Sequence, residues 1–271
     1  MKTRTICNML LALLFLYLPA AAQQDSDQIA IPLSEPGKAG KLSVQSLNGG
    51  IRVEGYNGKE VVVRYTSGGN RRNNSKPEMA NGMRRVSDNN MGLDIKEERN
   101  EVDVKVNSWM SKADLTILVP RNFSLHLRTV NDGLIEVKDV QGELDISNVN
   151  GSVLLHNISG AAVVNTVNGE IEAFFADTPP NAPMSFTNIN GQIQIKLPAD
   201  AKFNVKARSQ FGDVYTNYDM KMKQEEVRAE STSSGGTYRV KIDNWVQGEV
   251  NGGGPEIYVK SLNGTIYIQK K

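Results

Sequence analysis

The chain has 271 residues, 31 Lys and Arg against 30 Asp and Glu, a formal net charge of +1 and one cysteine. That balance argues against nucleic acid as the main partner, because phosphate binding rests on a basic surplus. A lone cysteine excludes a disulfide framework and a zinc–thiolate centre within the chain, and a chain this long can bury a sizeable core without either.

Lys2 and Arg4 precede an apolar run from Met9 to Leu18, and Ala20-Ala21-Ala22 follows with small residues. This is the pattern of a cleaved secretory signal over residues 1–22. The run falls short of the roughly 20 residues that cross a bilayer. Cys7 lies before the run, so no lipid anchor is indicated. Cleavage after Ala22 would leave 271 − 22 = 249 residues, with 31 − 2 = 29 basic and 30 acidic side chains and no cysteine. The expected product is exported, to the periplasm, the cell surface or the extracellular space. It has no further stretch of membrane-spanning length, and residues 23–271 are expected to form one β-repeat domain.

Alternating apolar patterns predict strands near 28–33, 40–46, 50–55 and 59–66. Residues 67–91 are polar and rich in Gly, Asn and Ser, and read as a long loop. Its cations Arg71, Arg72, Lys76, Arg84 and Arg85 make it a candidate contact site for an anionic polymer or lipid headgroups. Strands resume at 93–98, 101–107 and 114–119.

A nonapeptide repeat follows. Gly133, Gly142, Gly151, Gly160 and Gly169 recur every nine residues. With each Gly as position 0, position 2 holds Ile135, Leu144, Val153, Ala162 and Ile171. Position 4 holds Val137, Ile146, Leu155, Val164 and Ala173, and position 7 holds Val140, Val149, Ile158, Val167 and Ala176. Position 8 is polar throughout, often Asn. The template also fits units starting at residues 40, 49, 123, 182 and 255, and partly those at Gly191 and Gly264.

Positions 2 and 4 share one face of a strand. Position 7 joins them only if the chain bends after position 4. The polar residues at positions 5 and 6 suit that corner, and Asn-Gly suits a second one, since Gly accepts φ > 0. Two corners per nonapeptide describe a β-helix winding round a narrow apolar interior. The alternative is an antiparallel meander, for which Asn-Gly is also a strong signal; in it, Val140, Val149 and Val167 would point away from their partners. One unit cannot stand alone, so neighbouring units must share burial and ladder hydrogen bonds. Past the repeat, strands are predicted at 202–208, 213–217, 237–243, 255–260 and 264–269. Residues 218–236 read as a second long polar loop.

Val130-Asn131-Asp132-Gly133, Val149-Asn150-Gly151 and Val167-Asn168-Gly169-Glu170-Ile171 resemble the recurring units of the bacterial "putative adhesin" β-strand-repeat family, a family of unknown function. Gly40 to Gly55 resembles its opening, and Leu262-Asn263-Gly264-Thr265-Ile266 its closing unit. The resemblance implies an all-β fold, a single-stranded, right-handed β-helix or solenoid at the envelope or cell surface. It carries no catalytic residues over.

Neither His126 nor His156 belongs to a metal-binding spacing, and no Gly-x-Ser-x-Gly elbow occurs. Glu136, Asp145 and Glu172 share position 3, but Leu154 and Val163 interrupt that column. Asp139, Glu143 and Asp145 lie close enough in sequence to suggest calcium, although the calcium nonapeptide pattern is absent. Trp109, Trp245, Phe174 and Phe175 could form a glycan-stacking surface. The sequence thus points to a non-enzymatic, adhesin-like scaffold without cofactor or metal, contacting a surface glycan, an envelope protein or a membrane surface. The alternatives are a carbohydrate-active β-helix enzyme and a regulatory partner in envelope stress.

Overall fold

A computed structural model describes residues 27–67, 79–80, 83–84, 92–106, 113–131, 133–177, 181–223, 230–234, 237–241 and 245–271. The described residues are all-β. Two large sheets, of 10 and 11 strands, carry the fold, and two short hairpins stand beside them. The 10-stranded sheet is called the first sheet below, the 11-stranded one the second.

Successive nonapeptides alternate between the sheets. Leu144–Asn148 and Ala162–Asn168 pair in parallel in the second sheet, while Val153–Ile158 and Ile171–Phe175 pair in parallel in the first. A full turn of the coil is therefore two nonapeptides, and ladder partners such as Asn168 and Asn150 lie 18 residues apart. The expected two corners per nonapeptide are corrected to one strand and one corner, so that each unit is half a turn. Parallel in-register pairing also overturns the meander.

Position 7 shows why the half-turns differ. In the first sheet the chain bends early, with φ of 57° at Asp139 and 56° at Asn157. Val140 and Ile158 then fold inward and are 0% exposed. In the second sheet the strand runs straight through position 6, so position 7 faces outward, with Val149 36% and Ile189 42% exposed. The inward site goes to position 6, where Ser46, Thr129, Asn148, Thr166, Asn188 and Ser261 are buried. All of these polar groups but Ser261, whose Oγ has no partner among the described residues, find backbone acceptors at the corner. Thr129 Oγ1 donates to Gly49 O (3.2 Å), Asn148 Nδ2 to Gly133 O (2.6 Å) and Thr166 Oγ1 to Gly151 O (3.1 Å). A buried hydroxyl or amide needs such a partner, since leaving it unpaired costs about 1–3 kcal/mol.

Position 8 forms a second ladder on the surface. Asn263 Nδ2 donates to Asn190 Oδ1 (2.8 Å), Asn190 to Asn168 (2.7 Å), Asn168 to Asn150 (2.9 Å) and Asn150 to Asn131 (3.4 Å). Between the sheets, positions 2 and 4 interdigitate as a dry core that includes Leu42, Val44, Ile51, Val53, Ile135, Ile146, Leu155 and Ile193. Fully burying one such side chain contributes about 1.5–3 kcal/mol.

The corner glycines have a different reason from the one expected. Of those at position 0, only Gly49 (φ +113°) and Gly191 (φ +120°) sit in the left-handed region. The others are needed because successive turns press together. A Cβ on Gly160 would lie 1.9 Å from Gly142 O, and one on Gly151 would lie 2.1 Å from Gly133 O.

The chain does not stack in sequence order at its ends. Gly40–Asn48 lies between Glu101–Val106 and Phe123–Asn131. Glu256–Asn263 inserts between Met184–Asn190 and Phe203–Ser209. Antiparallel strands close both ends of the second sheet and one end of the first, whose other end is the parallel strand Val214–Thr216. Asp27–Pro32 pairs with Glu60–Ser67, Leu93–Glu98 with Glu101–Val106, and Met220–Met222 with Val246–Val250. Such ends cover ladder edges that would otherwise recruit foreign strands. Tyr218 locks the far end: its hydroxyl donates to Leu197 O (2.9 Å) and Pro198 O (2.8 Å). Burial pushes its pKa up to about 12.

The predicted loop at 218–236 is corrected, because it holds Met220–Met222 and, in Glu230–Ser234, one arm of a hairpin with Thr237–Lys241. Val246–Val250 is a further strand that the sequence pattern did not show, since Gly248 interrupts its alternation.

Gly160→Ala is expected to destabilise the protein by about 1–3 kcal/mol, the usual cost of forcing atoms into a packed interior. Urea unfolding followed by circular dichroism measures this, and an unchanged midpoint would contradict the close approach of the turns.

Candidate functional site

The outer faces of the two sheets are the surfaces on which a partner can be met. Each side chain there is placed by strand register. In the second sheet the outward positions are 1, 3, 5, 7 and 8, and parallel pairing lines each up across the strands.

The acids of the inner strands of this face fall at positions 1 and 3, which also hold Lys41, His126 and Lys206. Glu101, Glu143, Glu249 and Glu256 lie in the row of position 1, and Asp103 and Asp145 in the row of position 3. Position 5 differs. From Glu101–Val106 to Phe203–Ser209 its row reads Lys105, Gln45, Arg128, Ser147, Asn165, Thr187, Lys260 and Arg208. That row has cations toward both ends and no carboxylate. Asp94, opposite Lys105 on the edge strand, ends the stretch.

At one end an open cleft of about 370 Å³ is lined by Gln45, Leu47, Lys105, Arg128 and Val130 among others. At the other end Trp245 tilts against Tyr258 at 5.4 Å, with Lys206 Nζ 5.2 Å and the Arg208 guanidinium 5.7 Å from its ring centroid.

Of the carboxylates considered for acid–base or metal chemistry, Glu143 and Asp145 share one face of the second sheet beside His126, and the others lie apart from them. Glu136 lies on the first sheet, where Arg52 Nε (3.1 Å) and Lys138 Nζ (2.5 Å) hold it. The Lys138 hydrogen bond, ahead of the weaker Arg52 one, draws its carboxyl below the ordinary carboxylate range. Asp145 lies on the second sheet, with His126 Nδ1 2.9 Å from its Oδ2. Asp139 stands at the corner beyond Lys138, hydrogen-bonded to Asn157 Nδ2 and 3.7 Å from Arg121 Nη1. Among the described residues no three His, Cys, Asp or Glu side chains converge as a metal-binding group.

The proposed aromatic surface separates as well. Phe175 is core, 1% exposed and edge-on to Phe186. Phe174 faces out from the first sheet, between the His156 ring at 5.2 Å and Lys196 Nζ at 4.6 Å. Trp245 belongs to the second sheet, and Trp109 lies outside the described residues. A stacked pair, Tyr215 and Tyr267 at 5.5 Å, stands on the first sheet and was not singled out from sequence.

Arg71, Arg72, Lys76 and Arg85 lie outside the described residues, and Arg84 is described only as backbone, paired with Met79. The row of Lys105, Arg128, Lys260 and Arg208 was missed because its members are far apart in sequence. The signal was present: position 5 is polar in each second-sheet unit, Gln45, Arg128, Ser147, Asn165, Thr187 and Lys260, and in none is it acidic.

These features define an all-β coil with long, regular, polar outer faces. Residues 121–251 match the family Toastrack DUF4097. Two solved structures are similar in outline. A "putative cell adhesion protein" from Clostridium sporogenes ATCC 15579 is 13% identical with a TM-score of 0.45, over 91% of this chain and 100% of that one. A "putative adhesin" from Bacteroides fragilis NCTC 9343 is 10% identical with a TM-score of 0.42, over 92% of this chain and 98% of that one. No curated protein matches the chain. No helix among the described residues is long and apolar enough to cross a membrane.

Glu136→Gln tests whether that carboxylate is structural. Its pKa is lowered in the folded state, so its contribution is complete above the unfolded value near 4.5 and is lost as pH falls through the folded one. The variant is expected to lose about 0.5–1 kcal/mol at neutral pH and nothing once the carboxyl is protonated in both states. Denaturation midpoints at neutral and strongly acid pH check this, and an equal loss at both would contradict the ion-pair role.

Proposed function

We propose that this protein is a non-enzymatic, exported, adhesin-like protein of the bacterial envelope or cell surface, belonging as a whole to the Toastrack class. Its coil is right-handed, the sense that parallel crossovers take almost without exception. It works as a stiff scaffold whose outer faces and connecting segments contact a partner.

The observation that carries this reading is how the polar side chains are employed. Several carboxylates sit in structural pairs: Glu136 with Arg52 and Lys138, Asp114 capping Gly50 N (2.7 Å), and Glu97 accepting from Ser34 N and Asn100 N. Buried amides and hydroxyls hold the corners. Polar chemistry is thus spent on holding the shape, while the outer faces stay broad and regular. Function then lies in what those faces and the candidate loop of Arg71, Arg72, Lys76, Arg84 and Arg85 meet. The signal-like segment 1–22 supports export.

Sedimentation of the processed protein with isolated envelope fractions, sacculi and outer membranes included, tests the reading. Saturable co-sedimentation is expected, with no new reducing ends or unsaturated products from a panel of neutral and acidic polysaccharides. A protein that stays in solution with each fraction, or that cleaves a polysaccharide, would overturn it.

A further inference from the structure

We infer that the band formed by positions 5, 7 and 8 of the second sheet is a binding site for an extended, carboxylate-bearing polysaccharide laid along the coil axis. This deepens the scaffold reading above and rests on it.

The first observation is charge segregation. The protein is almost balanced in charge, yet between Glu101–Val106 and Phe203–Ser209 this band holds Lys105, Arg128, Lys260 and Arg208 and no acid. The acids of the same face are confined to positions 1 and 3, along its other side. A surface lined by one sign of charge concentrates ligands of the opposite sign. Lys105, Arg128 and Lys260 are exposed on this face, and among the described residues none of them forms an ion pair.

The second observation is shape and chemistry. The band has three parallel rows. The outer two are the amide ladder of Asn131, Asn150, Asn168, Asn190 and Asn263 and the polar row of position 5. Between them runs an apolar row in which Leu47, Val130, Val149 and Ile189 are exposed. Amides and hydroxyls beside a narrow apolar stripe suit a sugar chain, which offers hydroxyl edges and weakly apolar C–H faces. The stripe is one side chain wide, too narrow to enter a bilayer as an apolar face. With adjacent strands about 4.8 Å apart, the cations from Lys105 to Arg208 span roughly 34 Å, a length that only an extended chain engages at once.

The third observation is that both ends are shaped for contact. The cleft at Lys105 and Arg128 gives one end a recess. At the other, half-buried Trp245 and Tyr258 pack together with Lys206 and Arg208 over the Trp245 ring, a cluster of ring edges and cations that a sugar and its carboxylate can meet together. Several weak contacts along one chain add through effective concentration.

The test uses polygalacturonate as probe, with dextran as the uncharged polymer and phosphatidylglycerol vesicles as the anionic surface. The processed protein is expected to bind polygalacturonate, to ignore dextran, and to release as salt rises, because exposed charge contacts are screened. Arg128→Glu with Lys260→Glu, both exposed positions, is expected to weaken binding about tenfold or more at an unchanged unfolding temperature. Arg128→Gln with Lys260→Gln should give a smaller loss in the same direction, and serves if the reversal fails to fold. No binding to polygalacturonate, equal binding to dextran, binding confined to vesicles, or binding that neither variant changes would overturn the inference. Envelope co-sedimentation that persists in both variants would sink this site alone; loss of envelope binding by the unaltered protein would sink the scaffold reading.

Discussion

The structure depends on how closely consecutive turns approach at their corners. Backbone meets backbone there, with the carbonyl of one glycine where the next glycine's Cβ would be. That approach lets the parallel ladders run unbroken round the bends. At the corners that follow second-sheet strands it also brings the glycine carbonyl within reach of a buried hydroxyl or amide at position 6. The contact is steric before it is energetic: a side chain at position 0 would force the turns apart and weaken several hydrogen bonds together. Burial at positions 2 and 4 supplies the driving force, but the corners decide that burial takes the form of a coil.

From that constraint the asymmetry of the two sheets follows. In the first sheet the chain turns early, through Asp139 and Asn157 with positive φ, and position 7 closes the core. In the second the strand continues, position 6 turns inward and position 7 outward. Two half-turns with nearly the same sequence pattern thus present different surfaces. The second gains an apolar row beside its amide ladder, and that is the face on which charge is also sorted.

Most strands and the nonapeptide spacing were legible in the sequence, because alternation and a fixed period record burial directly; the Asn residues of position 8 read there as corner residues, not as a hydrogen-bonded ladder. The turn length was not. Nonapeptides in opposite sheets look alike, and only the pairing of Val153 with Ile171 rather than with Ala162 shows that two make one turn. The direction of position 7 was half legible, correct for Val140 and Ile158 and incorrect for Val149 and Ile189, because it depends on a bend whose signals are Asp139 and Asn157 rather than any apolar residue. The insertion of Glu256–Asn263 beside Met184–Asn190 was beyond reach, since no local pattern records which turn a terminal unit joins. The contact band escaped for the same reason: Arg128 and Lys260 become neighbours along one row only once that order is known.

The claim that two nonapeptides make one turn is tested most directly by paired cysteines in the processed chain, which would hold no other cysteine after removal of residues 1–22. Asp145→Cys with Val163→Cys joins register partners on adjacent strands of one sheet, whereas Glu136→Cys with Asp145→Cys joins equivalent positions of successive nonapeptides in opposite sheets. A short bifunctional thiol reagent is expected to cross-link the first pair quickly and leave the second unlinked. Rapid linking of the second pair, with the first unreacted, would contradict the two-sheet coil.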